Sequence, residues 1–139
     1  MRMKVIQDFN ASVPSNFSES LSRTIPSSPS SITLASFGLA VNTTNSTVLL
    51  IGTVGIESFL GLPDVSLKIF RNTALIGTIQ VSTLAVNEVR NNTFQVVDNN
   101  PPVGYHAYTL TAEVVNPLLN QATATGPISF SGTSLAPGV

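Results

Sequence analysis

The chain has 139 residues, a formal net charge of −1 and no cysteine, and 9% of its residues are charged. This length predicts one domain that can bury a core without metals or disulfides. The lack of cysteine excludes a disulfide framework, a thiolate zinc site and a cysteine nucleophile. The weak charge gives no footprint for nucleic acid or an acidic membrane, and a low-charge surface favours association between copies.

The first ten residues, MRMKVIQDFN, predict a β-strand. Alternate positions from Met1 to Phe9 are apolar, with Gln7 as the exception, and the positions between them are charged, with Ile6 as the exception. The residues that follow are poor strand formers, so this strand has no sequence neighbour to pair with. Its partner must lie elsewhere, either in the body of the same chain or in another copy.

Residues 10–31 predict an extended spacer. Nine of these 22 residues are serine and three are proline, so the segment buries little and its prolines cannot donate to a strand ladder. A short helical turn around 17–22 is the only local structure indicated. A fully extended spacer reaches on the order of 70 Å, which is past the width of a neighbouring domain.

From Ile32 onward, short runs rich in Val, Ile, Thr and Phe alternate with turns rich in Asn, Gly and Pro. They predict seven strands, at 32–41, 47–58, 65–71, 74–83, 93–98, 105–115 and 121–132. No amphipathic helix competes. The predicted fold is all-β, a single jelly-roll or β-sandwich domain with an extended N-terminal strand and linker. Seven strands in two sheets leave an edge that a loose strand can cover.

Groups for catalysis are few. The single histidine, His106, lies near the start of a predicted strand. It is either a general base or metal ligand, or a strand-end residue satisfied by a local hydrogen bond, and we favour the strand-end residue. The seven carboxylates are scattered, and the turn at Asp98 lacks the spaced carboxylates of a calcium loop. We therefore predict no enzymatic activity, no catalytic residue, no metal and no cofactor.

Targeting signals are also missing from the sequence. The stretch VIQDFNASV after Arg2 and Lys4 is no apolar signal core, and the longest apolar run, VLLIGTVGI, is too short for a membrane helix. We expect a chain without a secretory signal, which stays in the cytosol or leaves by a route other than standard export.

Three stretches carry a resemblance: ASFGLAVNTTNSTVLLIGTVGIES, VSLKIFRNTALIGT and DNNPPVGYHAYTLTAEV. Together, over most of residues 32–132, they resemble small proteins of spore-forming bacteria that occur on the spore surface and in endospore appendage fibres. The resemblance implies jelly-roll subunits joined by N-terminal connectors that complement a neighbour's sheet. It also implies a spore-surface location, reached after lysis of the mother cell.

Transferred to this chain, the resemblance implies a connector, or donor strand, at 1–9, a spacer at 10–31 and a β-sandwich body at 32–139. The implied subunit-interface residues are Met3, Val5, Ile6 and Phe9. The better-known appendage subunits cross-link the connector through cysteines, and this chain has none. A fibre of this chain would depend on ladder hydrogen bonds and buried side chains alone.

Three functions follow from these observations. The first is a structural subunit that assembles head-to-tail into a filament by strand donation, with other copies of itself and a spore-surface anchoring protein as partners, and with no nucleic acid or membrane partner. The second is a closed oligomer, such as a jelly-roll trimer, on a spore surface. The third is a ligand-binding or carbohydrate-binding module, or a small enzyme, and the lack of tryptophan argues against stacking on a sugar.

Overall fold

The computed structural model describes residues 3–83 and 85–138. These residues form nine β-strands and no helix. In chain order the strands are β1 (Val5–Ser15), β2 (Arg23–Ile25), β3 (Ile32–Val41), β4 (Thr47–Leu60), β5 (Asp64–Arg71), β6 (Ala74–Ser82), β7 (Val89–Asn99), β8 (Gly104–Val114) and β9 (Gln121–Ala136). All seven predicted body strands are present, and the first keeps its predicted bounds.

The strands form two antiparallel sheets. The first sheet has the order β1-β9-β4-β7, with the short β2 also paired to β9, and the second has the order β3-β8-β5-β6. Apart from the β5–β6 hairpin, every connection between β3 and β9 passes from one sheet to the other. This strand order is that of a jelly roll, so the predicted all-β fold is confirmed.

The core lies between the two sheets and follows the period of two that the sequence displays. Alternate residues of β5 and β8 are buried, as predicted, and they face the buried residues of β4 and β9. The ring of Phe37 lies 5.0 Å from that of Phe130 and 5.9 Å from that of Tyr108, which joins the two sheets through aromatic contacts.

The two ends of the sandwich carry different connections. One end, called the upper end here, holds the described termini and the turns at 42–46, 72–73 and 100–103. The opposite, lower end holds the loops at 16–22, 61–63 and 115–120. The helical turn predicted around 17–22 is wrong, because this segment is a bend and a turn that leads to the three-residue β2.

Candidate assembly site at the first strand

The N-terminal strand lies along the free edge of β9 in its own chain. Its register runs from Val5 opposite Ala136 to Ser15 opposite Ile128, which makes β1 the edge strand of the first sheet. The boundary predicted between connector and spacer after residue 9 falls inside β1, which continues through Pro14 to Ser15. Proline is tolerated here because the outer side of an edge strand needs no ladder donor.

Polar side chains of β1 reach across to the second sheet. The Asp8 carboxylate accepts a hydrogen bond from the backbone N–H of Ala40 at 2.7 Å. The Asn10 amide donates to the carbonyl oxygen of Gly38 at 2.9 Å. Both backbone groups belong to β3, an edge strand of the second sheet. One strand therefore covers two edges, that of β9 by backbone pairing and that of β3 by side-chain hydrogen bonds.

Gln7 makes the deepest contacts of β1. A shift in register between Ile6 and Asp8 marks a β-bulge, which turns Gln7 inward. Its amide nitrogen donates to the hydroxyls of Ser46 at 2.9 Å and Ser134 at 2.8 Å, and both serines are fully or almost fully buried. Its amide oxygen accepts from the backbone N–H of Asn42 at 3.1 Å. Gln7, the exception in the apolar alternation, is thus the residue that fixes β1 in place.

In contrast to Gln7, the large apolar side chains of β1 are mostly exposed to solvent. The exposed fractions of the predicted interface residues are 72% for Met3, 57% for Val5, 65% for Ile6 and 61% for Phe9. None of them belongs to the core of its own chain. Their role as contacts between subunits stays a prediction. Residues 1 and 2 of the predicted connector lie outside the described residues.

Phe9 belongs to a row of side chains across the outer face of the first sheet. The register places Phe9 opposite Thr133, Thr133 opposite Leu49, and Leu49 opposite Val97. The adjoining row holds Ala11, Ser131, Ile51 and Gln95. Neither row contains a charged residue. This face is therefore neutral and partly apolar where it begins at β1.

Between β1 and β2, residues 16–22 form a loop that we call the hinge loop. The backbone N–H of Phe17 donates to the Ser15 hydroxyl at 3.1 Å, and the Ser20 hydroxyl donates to the carbonyl oxygen of Phe17 at 2.8 Å. The loop lies on a bulge of β9 at Gly126, whose φ is +85°. A Cβ atom there would lie 2.7 Å from the Phe17 carbonyl oxygen, so the hinge loop needs glycine at this position.

Both ring nitrogens of His106 have hydrogen-bond partners within the chain. His106 is buried, its Nε2 lies 2.6 Å from the carbonyl oxygen of Pro102, and its Nδ1 lies 3.0 Å from the amide nitrogen of Asn72. Because a carbonyl only accepts, Nε2 carries the proton and Nδ1 accepts from Asn72. This is the satisfied strand-end histidine that we favoured from the sequence.

Asp98 belongs to a buried cluster that joins the two sheets at the upper end. Its carboxylate accepts from the Arg71 guanidinium at 2.7 Å and from the Tyr108 hydroxyl at 2.8 Å. Burial and the neighbouring Asp98 carboxylate raise the pKa of Tyr108 above its ordinary value. All three side chains have hydrogen-bond partners, and the most exposed of them, Arg71, is 20% exposed, so the cluster fits a structural role.

Across 3–83 and 85–138, no three His, Asp or Glu side chains come together in a way that could hold a metal ion. None of the secondary structure in those ranges is a helix long and apolar enough to cross a membrane.

No protein family and no curated protein matches this chain in sequence. Among solved structures, it is similar to the dimeric latent PorU of Porphyromonas gingivalis, with 8% identity, a TM-score of 0.49 and coverage of 99% of this chain but 13% of PorU. It is also similar to a structure of infectious bursal disease virus, Gx strain, with 13% identity, a TM-score of 0.48 and coverage of 95% of this chain and 32% of the viral one.

A third similarity is to the C-terminal CBM6 of LamC from Zobellia galactanivorans, with 12% identity, a TM-score of 0.39 and coverage of 91% of this chain and 99% of that module. This chain thus spans well under half the length of the first two structures. The assignment to the jelly-roll fold depends on the strand order itself.

Proposed function

We propose that this chain is a structural subunit that assembles with its own copies, joined by β1 of one copy lying along β9 of the next. The observation that carries the proposal is how β1 is held. Its attachment consists of a backbone ladder and the polar contacts of Gln7, Asp8 and Asn10, while its large apolar side chains stay exposed.

Such a strand can be exchanged at little cost. The β9 edge, the β3 edge and the Ser46–Ser134 pair of another copy offer β1 the same bonds as those of its own chain, so exchange breaks and remakes identical contacts. Only the hinge loop differs between the two states. Exchange that closes between two copies gives a dimer, and exchange that does not close gives a filament.

The setting of this assembly is proposed from the sequence. The resemblance of residues 32–132 to spore-surface proteins supports an endospore appendage, with an anchoring protein as a second partner. The uncharged outer face beside Phe9 supports self-association, because no charge has to be desolvated when two such faces approach.

Cysteine cross-linking tests the exchange directly, because the chain has no cysteine of its own. Phe9 and Thr133 are opposite each other in the register, at a Cα separation that a disulfide can bridge. A Phe9→Cys chain and a Thr133→Cys chain of different tag length are unfolded, mixed, refolded and oxidised. Exchange predicts a disulfide-linked heterodimer on a non-reducing gel. The matched control replaces Thr133→Cys by Thr123→Cys, whose partner is Thr24 of β2.

The same samples, without cysteines, are imaged by negative-stain electron microscopy. Filaments together with the heterodimer support the proposal. A heterodimer with particles of one small fixed mass indicates the closed oligomer and contradicts filament growth. Absence of the heterodimer, with the double variant Phe9→Cys/Thr133→Cys forming its bond within single chains, overturns strand exchange altogether.

A further inference from the structure

At the lower end of the sandwich, five large apolar side chains on two loops and the end of β4 are at least 44% exposed. Leu118 and Leu119 are 84% and 76% exposed, and the other three are between 44% and 67% exposed. We call this group the apolar end, and its members are Phe59, Leu60, Leu62, Leu118 and Leu119.

The two loops that carry the apolar end are fixed to each other. The Asn120 side chain accepts from the backbone N–H of Leu62 at 2.8 Å and donates to the carbonyl oxygen of Asn116 at 2.7 Å. The Asn116 side chain accepts from the N–H of Asp64 at 2.7 Å and donates to the carbonyl oxygen of Leu62 at 3.2 Å. The leucines are therefore carried by two loops that these four hydrogen bonds hold together before any partner binds.

The apolar end carries no charge. Residues 59–63 and 115–121 contain no Lys, Arg, Asp or Glu. A loop that binds an anionic membrane combines apolar tips with Lys or Arg beside them, and that combination is missing in these two segments. An uncharged, rigid apolar surface fits another uncharged apolar surface instead.

The position of the hinge loop indicates which surface that is. The hinge loop lies at the same end of the sandwich as the apolar end, between Ser15 of β1 and Arg23 of β2. When β1 is donated, Ser15 lies at the lower end of the acceptor, opposite Ile128. Seven linking residues then span at most about 25 Å to β2 of the donor, at the donor's own lower end. Exchange thus keeps the two lower ends close together, whereas it places no such limit on the upper ends.

We infer that the apolar end is a second contact between copies, in which Leu118 and Leu119 of one copy pack against the apolar end of the copy that exchanges β1 with it. The inference rests on the proposed function, because the hinge loop brings the two ends together only when β1 is exchanged. Burying these leucines removes apolar surface from water, so the contact adds to the strength of an assembly that the ladder alone would otherwise hold.

A single cysteine at each end of the sandwich tests the contact. Leu119→Cys is predicted to give a disulfide-linked dimer on mild oxidation, and Val103→Cys, another exposed apolar position, which lies in the upper-end turn, is the control that stays monomeric. The variant Leu118→Ser/Leu119→Ser is predicted to lower the apparent association constant at least tenfold in sedimentation velocity. The Phe9–Thr133 cross-link reports strand exchange independently in every variant.

The outcomes separate the two proposals. Strand exchange without a Leu119→Cys dimer overturns the apolar contact and leaves the proposed function standing. A Leu119→Cys dimer without strand exchange overturns the proposed function. It also overturns this inference, because the hinge loop then does not bring the two lower ends together. A Val103→Cys dimer as abundant as the Leu119→Cys one overturns the contact, because the two ends are then equivalent. Binding of the native chain, but not the double serine variant, to phosphatidylcholine vesicles without a dimer overturns it in favour of a lipid surface.

Discussion

Replacing Gln7 is predicted to destabilise the chain more than removing the largest side chain of the same strand. Gln7→Met keeps a similar side-chain volume but removes the hydrogen bonds to Ser46, Ser134 and the N–H of Asn42. The Ser134 hydroxyl is then buried without its partner, which costs about 1–3 kcal/mol, and the lost bond to Asn42 adds about 0.5–1.5 kcal/mol. The expected total is about 3 kcal/mol.

Phe9→Ala is the contrasting variant. The Phe9 side chain is 61% exposed, so roughly 40% of its transfer free energy is gained on folding. Full burial is worth about 1.5–3 kcal/mol, and the expected cost is therefore about 1 kcal/mol. A chain of this size changes its melting temperature by about 3–5 °C per kcal/mol. We expect a decrease of about 10 °C or more for Gln7→Met and of about 4 °C for Phe9→Ala.

Circular dichroism melts and urea titrations measure both values. They are made at one low protein concentration, because association of the native chain would raise the apparent melting temperature. Gln7→Glu is a useful companion, since it keeps the acceptor for Asn42 but loses the donor to Ser134. If Phe9→Ala costs as much as Gln7→Met, β1 is held by apolar burial as much as by the polar contacts of Gln7, and the reasoning from those contacts is refuted.

Three further predictions concern the body. Asp98→Ala leaves the Arg71 guanidinium and a buried tyrosine hydroxyl without their acceptor, and a loss of about 3–5 kcal/mol is expected in urea titrations. Hydrogen bonding from Lys68 lowers the pKa of Glu113, so the carboxylate stabilises the fold fully above its ordinary pKa of 4.5, and this stabilisation is lost as the pH falls through the lower pKa of the folded state. In melts from pH 7 to pH 3, the melting temperature of Glu113→Gln should therefore decrease less than that of the native chain. A Cβ at Gly55 would collide with a backbone carbonyl oxygen of the β9 bulge, so Gly55→Ala should cost about 1–3 kcal/mol in the same melts.

The body strands could be predicted from the sequence because their signal is local. In β3, apolar and small residues alternate from Ile32 to Val41 and turn residues follow at once, so the predicted bounds agree with the observed ones. The prediction was too short for β7, which begins at Val89, and for β9, which continues to Ala136. Their extra residues are mostly polar or small, and they are strands because a neighbouring strand pairs with them.

The attachment of β1 could not be read from its own pattern. The alternation from Met3 to Phe9 indicated an apolar face, but the bulge at Gln7 changes which residues point inward. Its partner strand begins at Gln121, more than a hundred residues later, and no local signal marks that pairing. The serine-rich residues after Asn10 are strand for the same reason, since the β9 edge supplies their hydrogen bonds.

The sequence left two alternatives for β1, a strand docked on its own body and a strand donated to another copy. The two states use the same bonds to β1. The docked strand completes the jelly roll of its own chain with bonds that every other copy offers equally. In the docked state the hinge loop is bonded to Ser15, and under the proposed exchange the preference between the two states depends on this loop and on any contact added between copies. The docked strand leaves Met3, Val5, Ile6 and Phe9 largely exposed, so their apolar surface is available for burial when copies assemble as proposed.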